Sequence, residues 1–152
     1  MKSRDLALLM VAVLSASGCD RGNAEPSRPH PIVGTWLVED PNAPFPHHLY
    51  VFNADGTMHQ ANPDAGDPRT SDSDGKGAWE IRGDRIQGTW VELMADRTTH
   101  QYAGRLEVTM QISVSGDSLS ATEVVSVFDA SGASAPAPAT PKPLTGTRIT
   151  PR

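Results

Sequence analysis

The chain reads as all-β, an eight-stranded antiparallel up-and-down β-barrel, on three observations. Beyond Pro31 no segment carries helical periodicity of any length. Apolar and polar residues alternate instead, most plainly where Leu106, Val108, Met110, Ile112 and Val114 interleave with Arg105, Glu107, Thr109, Gln111 and Ser113. One face is thus buried and the other wet, as in an antiparallel wall. The alternating segments number eight and follow one another across turn residues. Closing such a meander into a barrel removes the unpaired edges that an open sheet would expose.

In chain order the strands are expected at 32–39, 47–53, 57–61, 77–81, 85–94, 101–114, 118–129 and 144–150. The first places Gly34, Trp36 and Val38 on one face, and the second does the same for His48, Tyr50 and Phe52. The third follows Asn53-Ala54-Asp55-Gly56, a polar turn whose glycine can take φ > 0 as hairpins require. Arg82-Gly83-Asp84 joins the fourth to the fifth, where Gly88, Trp90 and Glu92 fall in line. That tripeptide has an integrin-type spelling, but hairpin geometry explains it fully. Ser115-Gly116-Asp117 turns the sixth strand into the seventh.

Two connections are longer. Residues 62–76 are acidic and rich in Pro, Ser and Gly, and 131–143 contain Ala135-Pro136-Ala137-Pro138-Ala139-Thr140-Pro141. Prolines at this density do not sit in a sheet, so both stretches are expected as loops at a barrel end.

The chain begins with a basic head, Met1-Lys2-Ser3-Arg4, an apolar run over 6–14 and then Ala16-Ser17-Gly18-Cys19. The run is shorter than the roughly 20 residues that a spanning helix needs, and describes a secretory signal. Ending at the chain's one cysteine, it resembles the lipobox of bacterial lipoproteins. That resemblance implies cleavage before Cys19, acylation of its thiol and new amine, and anchoring to a membrane through the buried chains. Ala16 where the lipobox usually has Leu, and Asp5 in the basic head, depart from that pattern. The organisation expected is a signal over 1–18, a lipidated Cys19 with a solvated tether over 19–31, and a barrel domain over 32–152. Asp20 resembles an inner-membrane retention signal, which favours the periplasmic face of the inner membrane over the outer membrane.

Removing the signal takes away two cations and one anion, so the formal charge moves from −5 to about −6. An acidic domain without a Lys/Arg cluster argues against a nucleic-acid partner and against a polybasic membrane patch.

Near the start of the first strand, Gly34-Thr35-Trp36 resembles the opening of the lipocalin and fatty-acid-binding-protein superfamily, the calycins. In that superfamily an arginine on the last strand packs across the tryptophan, and Arg148 in Thr145-Gly146-Thr147-Arg148 is placed for that part. A guanidinium on an indole satisfies both the cation and the π face. The chain is also similar to uncharacterised bacterial lipocalin-like proteins, through Asp55-Gly56-Thr57 and the segment from Asp74 to Trp79. It lacks the lipocalin disulfide and any helix after the eighth strand.

With those faces inward, Trp36, His48, Tyr50, Phe52, Trp90 and Met110 would line either a ligand cavity or a filled core, since barrels of eight strands do both. Glu92 and Glu123 lie in apolar strand surroundings. Buried beside His48 they would form a carboxylate–imidazole pair, with His48, Tyr50 and Glu92 as catalytic candidates. Facing solvent, or paired with an arginine such as Arg105, they would not. The five histidines lack metal-ligand spacing, and Asp72-Ser73-Asp74-Gly75 lacks the leading aspartate and bidentate glutamate of a calcium loop, so neither metal nor other cofactor is expected.

The reading favoured is a membrane-anchored, extracytoplasmic lipoprotein whose barrel binds a small apolar or amphipathic ligand. A cyclase or isomerase in the same barrel, or an interaction protein with a filled core, are the alternatives.

Overall fold

A computed structural model describes residues 28–64, 66–135 and 140–152. The expected signal, Cys19, most of the expected tether and the centre of the Pro-rich stretch lie outside these. The described chain is all-β, with strands β1 (Gly34–Glu39), β2 (His47–Phe52), β3 (Thr57–Ala61), β4 (Thr70–Asp72), β5 (Gly75–Arg82), β6 (Arg85–Asp96), β7 (Tyr102–Ser115), β8 (Ser118–Asp129) and β9 (Lys142–Arg148). No helix among the described residues is long and apolar enough to cross a membrane.

Eight strands close an antiparallel barrel in the order β1-β2-β3-β5-β6-β7-β8-β9, and β9 returns to β1 with Trp36 opposite Arg148. The fold class expected from alternation and turns is the fold observed. Three stretches expected as loop are strand. Gly75 and Lys76 begin β5. Lys142 and Pro143 begin β9, at a strand start where a proline is tolerated. The third lies earlier in the chain. Residues 70–72, read from sequence as loop, form β4, which pairs outside the barrel with the far end of β6. Met94 and Ala95 face β4 on one edge and β7 on the other, so β4 continues the line of β5. The pairing register changes by one residue between Asp72↔Met94 and Lys76↔Val91, and Ser73–Asp74 form the step. A three-residue strand held mainly by β6 leaves too short a pattern to read locally.

The turns follow from their residues. In the β2–β3 hairpin Gly56 has φ 86°, and Asp55 Oδ1 accepts from the Thr57 amide at 2.9 Å and hydroxyl at 2.7 Å. Gly83 has φ 63° between Arg82 and Arg85, which face each other across the β5–β6 hairpin. Arg82 is engaged with Glu80 at 2.6 Å.

The barrel has two unlike ends. At one, Ile32 is wholly buried, and the Trp36 indole donates to the Ile32 carbonyl at 2.8 Å. The Arg148 guanidinium lies 4.2 Å from the Trp36 ring and donates to the Val33 carbonyl at 2.9 Å. Above this floor Tyr50, Phe52, Met58, Met110, Ile112 and Leu119 fill the interior. The other end is uneven, because β6, β7 and β8 run 12, 14 and 12 residues while β1, β2, β3 and β9 run 6, 6, 5 and 7. The long strands and β4 overhang an open mouth, where the inward-facing residues turn polar.

Candidate functional site

Alternation carries polar side chains to the mouth. Beyond Trp36 and Val38 the inward phase of β1 reaches Asp40; on β2 it begins at His48, on β3 it ends at Gln60, and on β6 and β8 it reaches Glu92 and Glu123. All five are buried. Asp40, His48, Glu92 and Glu123 line a cavity of about 200 Å3 whose apolar walls are Trp90, Leu106, Val108 and Val125. The turn over residues 41–45 covers one side with Asn42 and Phe45. Asp40 holds that turn, accepting from the Asn42 amide at 2.9 Å while its own N–H donates to the Pro46 carbonyl at 2.8 Å. Asp72, brought by β4, and Lys142, at the start of β9, complete the rim.

The hydrogen bonds fix one protonation state. The Gly75 amide donates to Gln60 Oε1 at 3.0 Å, so Gln60 Nε2 is the donor toward His48 Nδ1, 2.9 Å away, and toward Asn62 Oδ1. His48 Nδ1 therefore accepts, and the ring proton sits on Nε2. Burial, opposed by the Asp40 charge and the Phe45 carbonyl, lowers the His48 pKa and keeps the ring neutral. Its Nε2–H is buried beside the Phe45 carbonyl, and the indole N–H of Trp90 is buried beside the Tyr50 hydroxyl, neither in good hydrogen-bond geometry. The Trp90 Cε3 edge abuts Gly75 closely enough that a β-carbon there would come within 2.8 Å of it. The N–H edge is consequently turned away from β5. His48 and Trp90 both line the cavity.

The carboxyls are perturbed as well. Burial first, then the charges of Asp72 and Asp74, push the Glu92 pKa up to about 7. Burial, then the charge of Asp40 and a hydrogen bond with it, push Glu123 up to about 8, against the pull of Lys142. Glu123 thus keeps its proton at neutral pH, because a second buried charge beside Asp40 is disfavoured. Among the described residues no salt bridge involves Asp40, Glu92 or Glu123. Burial and the Glu123 charge also raise the Tyr50 hydroxyl pKa, so it stays protonated.

Of the residues singled out from sequence, His48, Trp90, Glu92 and Glu123 line the cavity. Trp36, Phe52 and Met110 do not; they are packed in the core beneath it, with Tyr50, whose ring meets Trp90 edge-on at 6.5 Å. Both sequence alternatives for the interior therefore occur, a filled lower half and an open upper half. The carboxylate–imidazole pair is not formed, because the ring nitrogen of His48 facing a partner is taken by Gln60. Arg105 pairs with Glu107 at 2.6 Å and leaves the inner glutamates alone. Sequence reasoning passed over Asp40 and Gln60, which continuing the alternation by one step past Val38 and Met58 would have found. Asp72 carried no such signal. Among the described residues no group of three or more His, Cys, Asp and Glu could hold a metal ion.

No protein-family model, curated protein or solved structure matches the chain. The chemistry of the site rests on its own residues.

Proposed function

We propose that the protein is a lipid-anchored extracytoplasmic protein whose lipocalin-like barrel holds a small amphipathic ligand at its open end. The observation that carries the reading is the mouth cavity, apolar on its walls and lined by the buried polar side chains of Asp40, His48, Glu92 and Glu123. Concave, mostly apolar sites with a few convergent polar groups are where small molecules bind. The packing of Arg148 on Trp36 supports the lipocalin-like assignment. The anchor rests on the signal-like run ending at Cys19, which would tether the acidic domain to the periplasmic face of a membrane without any basic patch.

Native mass spectrometry of the full-length protein, extracted from its own membranes, tests the binding reading. A co-purifying small molecule that is lost on filling the cavity supports it; an unloaded protein that takes up nothing refutes it. Cys19→Ser should release the protein from the membrane fraction, and continued membrane association would exclude acylation as the anchor.

The protonated carboxyl of Glu123 in the cavity lining favours one second reading, an isomerase or cyclase that moves a proton within a bound substrate. Incubating the co-purified molecule with the protein in deuterated water separates the two. Deuterium incorporation that Glu123→Gln abolishes indicates catalysis, and an unlabelled ligand indicates binding alone.

A further inference from the structure

We propose that the ligand of the mouth cavity is a small organic cation, a protonated amine on an apolar body. The inference rests on the binding reading above and adds the charge and chemistry of the ligand.

Three independent features of the cavity converge on it. The first is charge. Asp40, Glu92 and Glu123 are buried around one space and Asp72 stands on its rim, whereas Lys142 is the one Lys or Arg in the lining. That lysine is exposed and forms no salt bridge with any of them. Buried carboxyls are normally paired with a cation, because an unpaired one loses hydration without recovering it. Here the lining supplies four carboxyls against one cation, Lys142, which lies opposite Glu123 in the β8–β9 ladder. A ligand ammonium would supply further counter-charge.

The second feature is aromatic and apolar surface beside the acids. Trp90 and Phe45 present rings to the same space, with Leu106, Val108 and Val125 as the remaining wall. Indole faces attract cations, and the aliphatic wall accommodates the body that carries the charge. An anionic ligand would face the same surface at a disadvantage, since it would meet the carboxyls as a like charge.

The third is size. The cavity's volume of about 200 Å3 suits a molecule of modest size and excludes a long-chain lipid.

Binding a cation between Glu92 and Glu123 stabilises their charged forms and releases protons. The titratable groups that face the space are Asp40, His48, Asp72, Glu92, Glu123 and Lys142. With His48 already neutral, the two glutamates dominate the response, and affinity for an ammonium rises between about pH 6 and pH 9.

The test uses the full-length protein and three molecules of one shape: phenylalaninol, its neutral diol analogue and phenyllactate. Binding is read from the Trp90 indole N–H resonance at millimolar ligand. Phenylalaninol should bind about tenfold or more tighter than the diol, and phenyllactate weakest. Glu92→Gln and Glu123→Gln should each reduce the preference for phenylalaninol over the diol by about threefold or more, with a retained, dispersed amide spectrum as the control for folding. Equal binding of phenylalaninol and diol, or preference for phenyllactate, overturns the cationic inference and leaves the binding reading in place. If none of the three perturbs the resonance, the binding reading falls with it.

Discussion

The guanidinium of Arg148 lies 4.2 Å from the ring of Trp36, and the two residues are also direct partners in the β9–β1 ladder that closes the barrel. One arginine thus caps the floor, seals the seam and holds the entering chain through the carbonyls of Val33 and Pro31. Gly34 makes room for it: φ is 138° there, and a β-carbon would meet the guanidinium at 2.6 Å. Arg148→Ala should cost about 2–3 kcal/mol, from the cation–π contact and the lost charged hydrogen bonds. Urea unfolding measures it, and a loss below about 0.5 kcal/mol would show the contact to be ornamental.

Gly77 should be the least replaceable residue of β5. A β-carbon there would overlap the Thr89 carbonyl oxygen on β6, which is backbone and cannot swing aside. Gly77→Ala is expected to cost about 3 kcal/mol or more, or to prevent folding. Gly83→Ala is the control, since nothing lies within 4 Å of its β-carbon position; it pays only for its φ of 63° in the turn. Equal thermal stability of the two variants would contradict the packing described.

Stability should fall as pH rises from mildly acidic to alkaline. Glu92 and Glu123, with pKa values near 7 and 8 in the fold against 4.5 in the unfolded chain, bind more protons folded than unfolded across that interval. Their contribution is complete below about pH 4.5 and disappears as pH climbs through 7 and 8. His48 acts oppositely, its lowered pKa adding stability as pH rises to its unfolded value of 6.5. Hydrogen-bonded carboxyls such as Asp55 and Asp96, whose pKa values are depressed, lose their contribution only in stronger acid. The midpoint of thermal unfolding should therefore peak near about pH 5–6 and decline toward pH 9. The double variant Glu92→Gln/Glu123→Gln should flatten the decline and be the more stable protein at about pH 9. An unchanged slope would place the titrating groups elsewhere.

Nitrogen NMR of the imidazole should find His48 neutral and protonated at Nε2 at neutral pH, because Gln60 donates to Nδ1. Gln60→Glu at high pH would reverse the demand, since a carboxylate accepts only. The ring proton should then move to Nδ1. Detection of the Nδ1–H tautomer in the unaltered protein would refute the assigned network.

Filling the cavity should separate binding from folding. Val125→Phe projects into the open space between Leu106 and Glu123 and is expected to abolish uptake of the phenylalaninol probe. Unfolding stability should change by less than about 1 kcal/mol, because the space to be filled already exists. Retained uptake would locate the ligand outside the mouth.

Much of this was legible locally. Strand identity and order depend on a period of two and on turns such as Asp55-Gly56 and Gly83-Asp84, where each residue's conformation is set by near neighbours. The inward identity of His48, Trp90, Glu92 and Glu123 follows from the same period. Glu123 was readable as an inward residue, but its partner was not: Asp40 is more than eighty positions away in the chain and lies past the end of β1.

By itself the sequence determined an all-β chain, the eight barrel strands and the face each side chain takes, because pleat and hairpin geometry act over a few residues. The tertiary structure alone decided that the interior is packed below and open above, that β4 brings Asp72 to the rim, and that Asp40 meets Glu123 across the mouth. Those outcomes depend on the stagger between strands and on the unequal lengths of β6–β8 and their neighbours. Such quantities belong to the closed barrel as a whole, and no short stretch of chain encodes them.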